Sequence, residues 1–200
     1  MTNIDICNMA LGYINTRPIM SLDEASEPAR KCKLYYDQLR KRLLRSYTWG
    51  FAKKLATLAR LDVPATPNRK YMYTYPNDCI TIVALYDKQG NRHINSVEGL
   101  TKYETFLLDD NTHVIGCDLE EARLEYIADV KEPDVFSIDF IEALSHLLAS
   151  TLAVSLVSDP QMQQTEHQLY QIAMHQAMTS EAREREPDHN YPDAYAKARF

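Results

Sequence analysis

The sequence predicts an α+β, mainly helical fold: a four-helix bundle with an inserted small antiparallel β-sheet domain. Apolar residues recur with a 3.6-residue period near both ends of the chain, whereas the middle is rich in tyrosine and β-branched residues. The chain's 200 residues are 45% hydrophobic, enough to bury a real core. Neither helical pair has enough apolar partners alone, so the two pairs are expected to pack together. Residues 1–62 and 133–186 are therefore assigned to the bundle, 63–132 to the β-rich insertion and 187–200 to a flexible C-terminal tail.

Ile4, Cys7, Leu11 and Ile14 share one face of a short first helix, with Asn3 as its expected cap and Thr16-Arg17-Pro18 as its end. Ser26-Glu27-Pro28 marks a second start, because serine caps free N–H groups and proline lacks the donor that would otherwise go unpaired. Ala29, Cys32, Tyr36, Leu39 and Leu43 then keep the helical period to about Ser46. After Pro64 the alternation of Tyr71, Tyr73 and Tyr75 favours extended structure. Ile80 to Tyr86 is a strand, and Asp87-Lys88-Gln89-Gly90-Asn91 a turn towards His93 and Ile94, together a hairpin. Thr112–Cys117 and Ala122–Val130 form a further pair of strands, with Leu124, Tyr126 and Ala128 opposite Arg123, Glu125 and Ile127. Beyond Pro133, residues from Phe140 to Leu156 present an apolar face wide enough for a central helix. Asp159-Pro160 starts a fourth helix that runs to about Glu184.

Charged residues make up 25% of the chain and the net charge is −6, which does not favour bulk attraction to nucleic acid or anionic membrane. The strongly apolar stretch Leu147–Val157 is short and dotted with Ser and Thr, so no membrane span is expected. The N-terminus lacks the basic segment and long apolar run of a secretory signal. Cys7, Cys32, Cys79 and Cys117 are scattered, as expected of small buried hydrophobes rather than of a disulfide framework or thiolate metal site.

No glycine-rich phosphate loop, His-Glu-x-x-His or Gly-x-Ser-x-Gly occurs. His167 and His175 fall about 12 Å apart along a helix, too far to share a metal without bending. Cys32 or Cys79 as a nucleophile would need a nearby base and a lowered thiol pKa. Glycan hydrolysis needs only two suitably placed carboxylates, for which Asp118, Glu120, Glu121 and Asp134 are candidates, with a solvated acidic loop as the plainer account. No catalytic, cofactor-binding or metal residue is assigned.

Charge distribution is more informative than any motif. Residues 29–60 hold ten basic residues against one acid, Asp37, a local +9 that leaves −15 elsewhere. Such a split suits head-to-side attraction between copies, or a basic rim for an acidic partner or DNA. The candidate partner interface comprises Arg40, Lys41, Arg42, Arg45, Lys53 and Lys54, joined by Tyr191, Tyr195 and Phe200 of the tail, whose aromatic rings suit pockets of another chain. Trp49 and Phe51 are expected to pack where the basic helix joins the sheet.

Several ordered blocks resemble the tail tubular protein A, or head-to-tail adaptor, family of short-tailed phages over about residues 3 to 180. They are Ala10-Leu11-Gly12-Tyr13-Ile14, Ile19 to Asp23, Glu27 to Lys33 with Leu34-Tyr35-Tyr36-Asp37, and Leu43 to Ala52, which is similar to the family's Arg-x-x-x-Trp-x-Phe-Ala. Tyr73-Thr74-Tyr75-Pro76-Asn77-Asp78-Cys79-Ile80, Leu124-Glu125-Tyr126-Ile127 and Phe140-Ile141-Glu142-Ala143-Leu144 continue the series, although Tyr75 stands where the family often has an aliphatic residue. The resemblance implies a virion structural protein assembled in the host cytoplasm. It would form a ring, typically of twelve copies, that docks under the portal protein and receives the tail nozzle protein, with DNA only passing through. It also keeps a glycan hydrolase side activity in view, because some relatives are reported to degrade cell-wall or surface glycans.

Overall fold

Four helices and eight strands are laid down in the order two helices, eight strands, two helices in the computed structural model, which describes residues 1–63, 68–94 and 102–184. Helix α1 (Asn3–Tyr13) is capped by Thr2 rather than by Asn3. The Thr2 hydroxyl accepts from the Asp5 N–H and the Asp5 carboxylate from the Thr2 N–H, so two end groups are satisfied reciprocally. Asn8 then brackets the backbone of Ile19 from both sides, closing the loop that follows. Helix α2 (Glu27–Ser46) starts as expected, the Ser26 hydroxyl accepting from Ala29 N–H. Helix α3 (Ile138–Leu152) continues through a π-helical turn, Ala153–Val157, and stops at Ser158, whose φ of 56° is left-handed. Helix α4 (Pro160–Glu184) follows the Asp159 carboxylate, which accepts from the N–H groups of Gln161 and Met162.

α3 is the axis of the helical layer, packed against α1, α2 and α4. The continuous run Ile138–Val157 is longer than the apolar stretch expected, and its 20 residues are by length and composition apolar enough to cross a bilayer. In this fold it is the core helix, with 61% of its apolar window buried.

The strands are β1 (Lys53–Thr57), β2 (Arg60–Leu61), β3 (Tyr71–Thr74), β4 (Cys79–Tyr86), β5 (Arg92–His93), β6 (Tyr103–Leu107), β7 (His113–Cys117) and β8 (Arg123–Ala128). They make two antiparallel sheets of four, ordered β1-β8-β4-β5 and β2-β3-β7-β6. Tyr73, Leu85, Ile115, Cys117, Leu124 and Tyr126 fill the space between the sheets. The other face of the first sheet meets the helices through Ile127 and through Ile80 and Val83, which sit at register shifts in β4 that aim them at the helical core.

The expected mainly helical four-helix bundle with one small inserted sheet is thus corrected. Of the described residues 47% are helical and 22% are in strands, and the β part is a two-sheet sandwich against which the helices form one layer. The periodicity missed β1, β2 and β6, which are short and largely exposed edge strands without an alternating apolar face. β1 and β2 also lie inside residues 1–62, so β structure starts at Lys53, ahead of the expected boundary at 63. The strands 112–117 and 122–130, close enough in sequence to read as partners, do not pair with each other. β7 joins β3 and β6 while β8 joins β1 and β4, the chain crossing between sheets at 118–122. The expected β4–β5 hairpin is present, with Leu85 opposite His93. The tail 187–200 lies outside the described residues.

Candidate docking surface

Half of the ten basic residues of 29–60 are held in ion pairs once folded, mostly by acids from other segments. Lys33 pairs with Asp23 at 2.6 Å, Lys54 with Asp78 at 2.6 Å, Lys53 with Glu125 at 3.5 Å, and Lys41 with Asp37 at 3.0 Å. Arg60 lies over the Tyr71 ring, 4.5 Å from its centre. Arg40 is not a docking residue, because its side chain is only 1% exposed. Its guanidinium sits 2.6 Å from both Asp37 and Asp129 and donates to the Val130 carbonyl, tying α2 to the end of β8. At Asp37, burial works to raise the carboxyl pKa, but hydrogen bonds from Arg40 and Lys41 outweigh it and hold the net value low.

Of the residues assigned to the interface, Arg42 and Arg45 are exposed at the C-terminal end of α2, and they make no ion pair among the described residues. Cations suit that end of a helix, where carbonyl dipoles are unopposed. Lys41, Lys53 and Lys54 stay at the surface but engaged. Tyr191, Tyr195 and Phe200 fall outside the described residues. A polar cleft of about 590 Å³ that sequence reasoning did not single out is lined by Tyr75, Asn77, Asn111 and His113 among others. His113 stacks on Tyr75 with ring centres 4.1 Å apart. Burial, then a hydrogen bond with Cys79, raises the Tyr75 phenol, while the charge of Arg45 pulls it down. The only sequence sign of this cleft was Pro76-Asn77, a turn composition.

Three of the four candidate acids converge. Asp118, Glu120 and Glu121 line a cleft of about 270 Å³ with Asp87 and Lys88, formed where the β4–β5 turn meets the β7–β8 crossing. Asp134 is elsewhere, 2.7 Å from the N-terminal amine. Asp118 accepts from Lys70 N–H and pairs with Arg69, and Glu121 pairs with Lys88. The Asp87 carboxyl is held down to about 2, chiefly by hydrogen bonds from Asn91 and also by His93. A glycan-cleaving general acid needs the opposite shift, a carboxyl kept protonated near neutral pH.

His167 and His175 are both exposed on α4, and among the described residues no group of three or more His, Cys, Asp and Glu could hold a metal. Burial raises the thiol pKa of Cys79, away from the lowered value that a nucleophile needs. Cys7 and Cys32 neighbour each other in the helical core. No protein-family model matches this chain, and no curated protein matches it.

Proposed function

We propose that the chain is a virion structural protein, a head-to-tail connector that forms a ring beneath a phage portal and receives the tail nozzle protein. One observation carries the reading beyond the sequence pattern itself. The blocks that resemble the adaptor family, far apart in the chain, meet in one core: Leu11, Ile19, Cys32, Leu43, Trp49, Ile127 and Phe140 pack together where the helical layer meets the first sheet. Trp49 lies edge-on to Phe140 with centres 4.9 Å apart, and its indole N–H donates to the Leu43 carbonyl at 2.9 Å. Residues that specify one shared fold converge in this way, as apolar residues of any globular chain also do. Docking surfaces rather than bond-making groups then carry the function, with Arg42 and Arg45 as exposed anchors.

Purified protein mixed with portal rings is expected to add a second ring visible by electron microscopy; no added ring at virion-like concentrations would sink the reading. A glycan hydrolase activity has the gathered carboxylates Asp87, Asp118, Glu120 and Glu121 in its favour. It has against it the lowered pKa of Asp87 and the remote position of Asp134. A clear zone on a peptidoglycan or capsule zymogram, lost in the Glu120→Gln/Glu121→Gln variant, would establish it.

A further inference from the structure

We infer that the exposed end of α2 docks a second copy of this chain, Arg42 and Arg45 of one copy receiving the acidic tip of the next, Asp87, Asp118, Glu120 and Glu121. The inference rests on the ring reading above and supplies its contact. The tip is built from the two turns at the far end of β4 and β8, and its carboxylates outnumber its cations. Lys88 pairs with Glu121 and Arg69 with Asp118, while Glu120 makes no ion pair among the described residues. The receiving surface lies at the other end of β4: Tyr75 and Asn77 precede its first residue, Cys79, whereas Asp87 follows its last, Tyr86. At about 3.3 Å per residue the strand's length separates the two patches by roughly 25 Å, so they cannot meet within one molecule.

Patches of opposite sign at opposite ends of a rigid strand make a heterologous contact, one surface meeting a different surface on the next copy. Such contacts close into a ring when the rotation between copies allows it. The receiving side also has the right groups for carboxylates. Two guanidinium groups without ion pairs offer forked N–H donors. Arg40 on the same helix is tied to Asp129, whose N–H donates to the Asp78 carbonyl at the start of β4, the end of the strand where Asn77 and Asn111 line a cleft of about 590 Å³. A symmetric face-to-face dimer would set like charges against each other instead.

Sedimentation velocity of the full chain tests this with Arg42→Glu/Arg45→Glu, Glu120→Lys/Glu121→Lys and the four-site exchange, all on exposed side chains. Wild-type self-association should weaken about tenfold or more between about 0.05 M and 0.5 M salt, because the contact is charge-driven. Each two-site variant should weaken it about tenfold or more at low salt, and the four-site exchange should restore it, since every contact then has its signs reversed together. Unchanged association in both two-site variants, or no restoration in the exchange, overturns the contact; if those variants still form rings on portal, the adaptor reading survives. Charge-dependent self-association without any binding to portal keeps the contact and overturns the adaptor reading. Salt-sensitive binding to duplex DNA that is lost in Arg42→Glu/Arg45→Glu, with no self-association, assigns the face to nucleic acid and overturns the inference.

Discussion

Arg40 shows how a residue's role can invert between sequence and fold. In sequence it is one basic residue among seven within sixteen positions of α2; in space it is a buried tie between α2 and the loop after β8. Its removal leaves Asp129, whose side chain is 16% exposed, with only Lys41 at 3.8 Å, so Arg40→Ala should cost about 3 kcal/mol in urea unfolding. Adding Asp129→Asn should recover part of that loss by removing the poorly compensated charge. Periodicity hinted at this placement, because Arg40 follows Leu39 and precedes Leu43 on the buried side, but no sequence rule separates a buried arginine from an exposed one without its partner in view. Asp87 makes a second prediction. Its carboxyl is held at about 2 in the fold against an ordinary 3.8, so its contribution to stability is fully present above about pH 4 and is lost as pH falls towards 2. The Asp87→Asn variant should therefore lose less stability than the wild type across that window, followed by thermal melts at stepped pH.

Elements with a strong period and a cap were legible, and those without one were not. α2 and α4 announced themselves through Ser26-Glu27-Pro28 and Asp159-Pro160, and their caps form as expected. β1 did not, because Lys53 and Lys54 keep an open edge polar and leave no apolar alternation to read. β7 was found but given the wrong partner, since the short step to β8 looks like a hairpin while the chain changes sheet there. Gly116 shows why β7 accepts only its own residue at that point. A Cβ there would sit 2.8 Å from the Phe106 ring and 3.2 Å from both the Arg69 and Met72 side chains. Gly116→Ala should cost about 1–3 kcal/mol by chemical denaturation, with partial relief from Phe106→Leu, because the nearest atom is the far edge of a side chain.

For the molecule as a whole, composition and charge arithmetic gave the right class of balance but the wrong map. The +9 run along the chain is cut to about half because Asp23, Asp78, Glu125 and Asp129 arrive from four other segments, and Arg42 and Arg45 at the C-terminal end of α2 are two of the cations left without an ion pair among the described residues. The helices and the first sheet share a core around Trp49, the only tryptophan, which is fully buried. Its fluorescence and the far-UV circular dichroism should therefore report one coincident unfolding transition; two separated midpoints would show that the sandwich and the helical layer come apart independently. The centre of the helical layer, α3, also begins only at Ile138, after both helices and all the strands it supports have been laid down. A chain emerging from the ribosome thus presents the apolar faces of α1 and α2 without their main packing partner until α3 appears. Maturation of the helical layer must wait for that helix, and a message truncated before Ile138 should yield a chaperone client rather than a folded fragment.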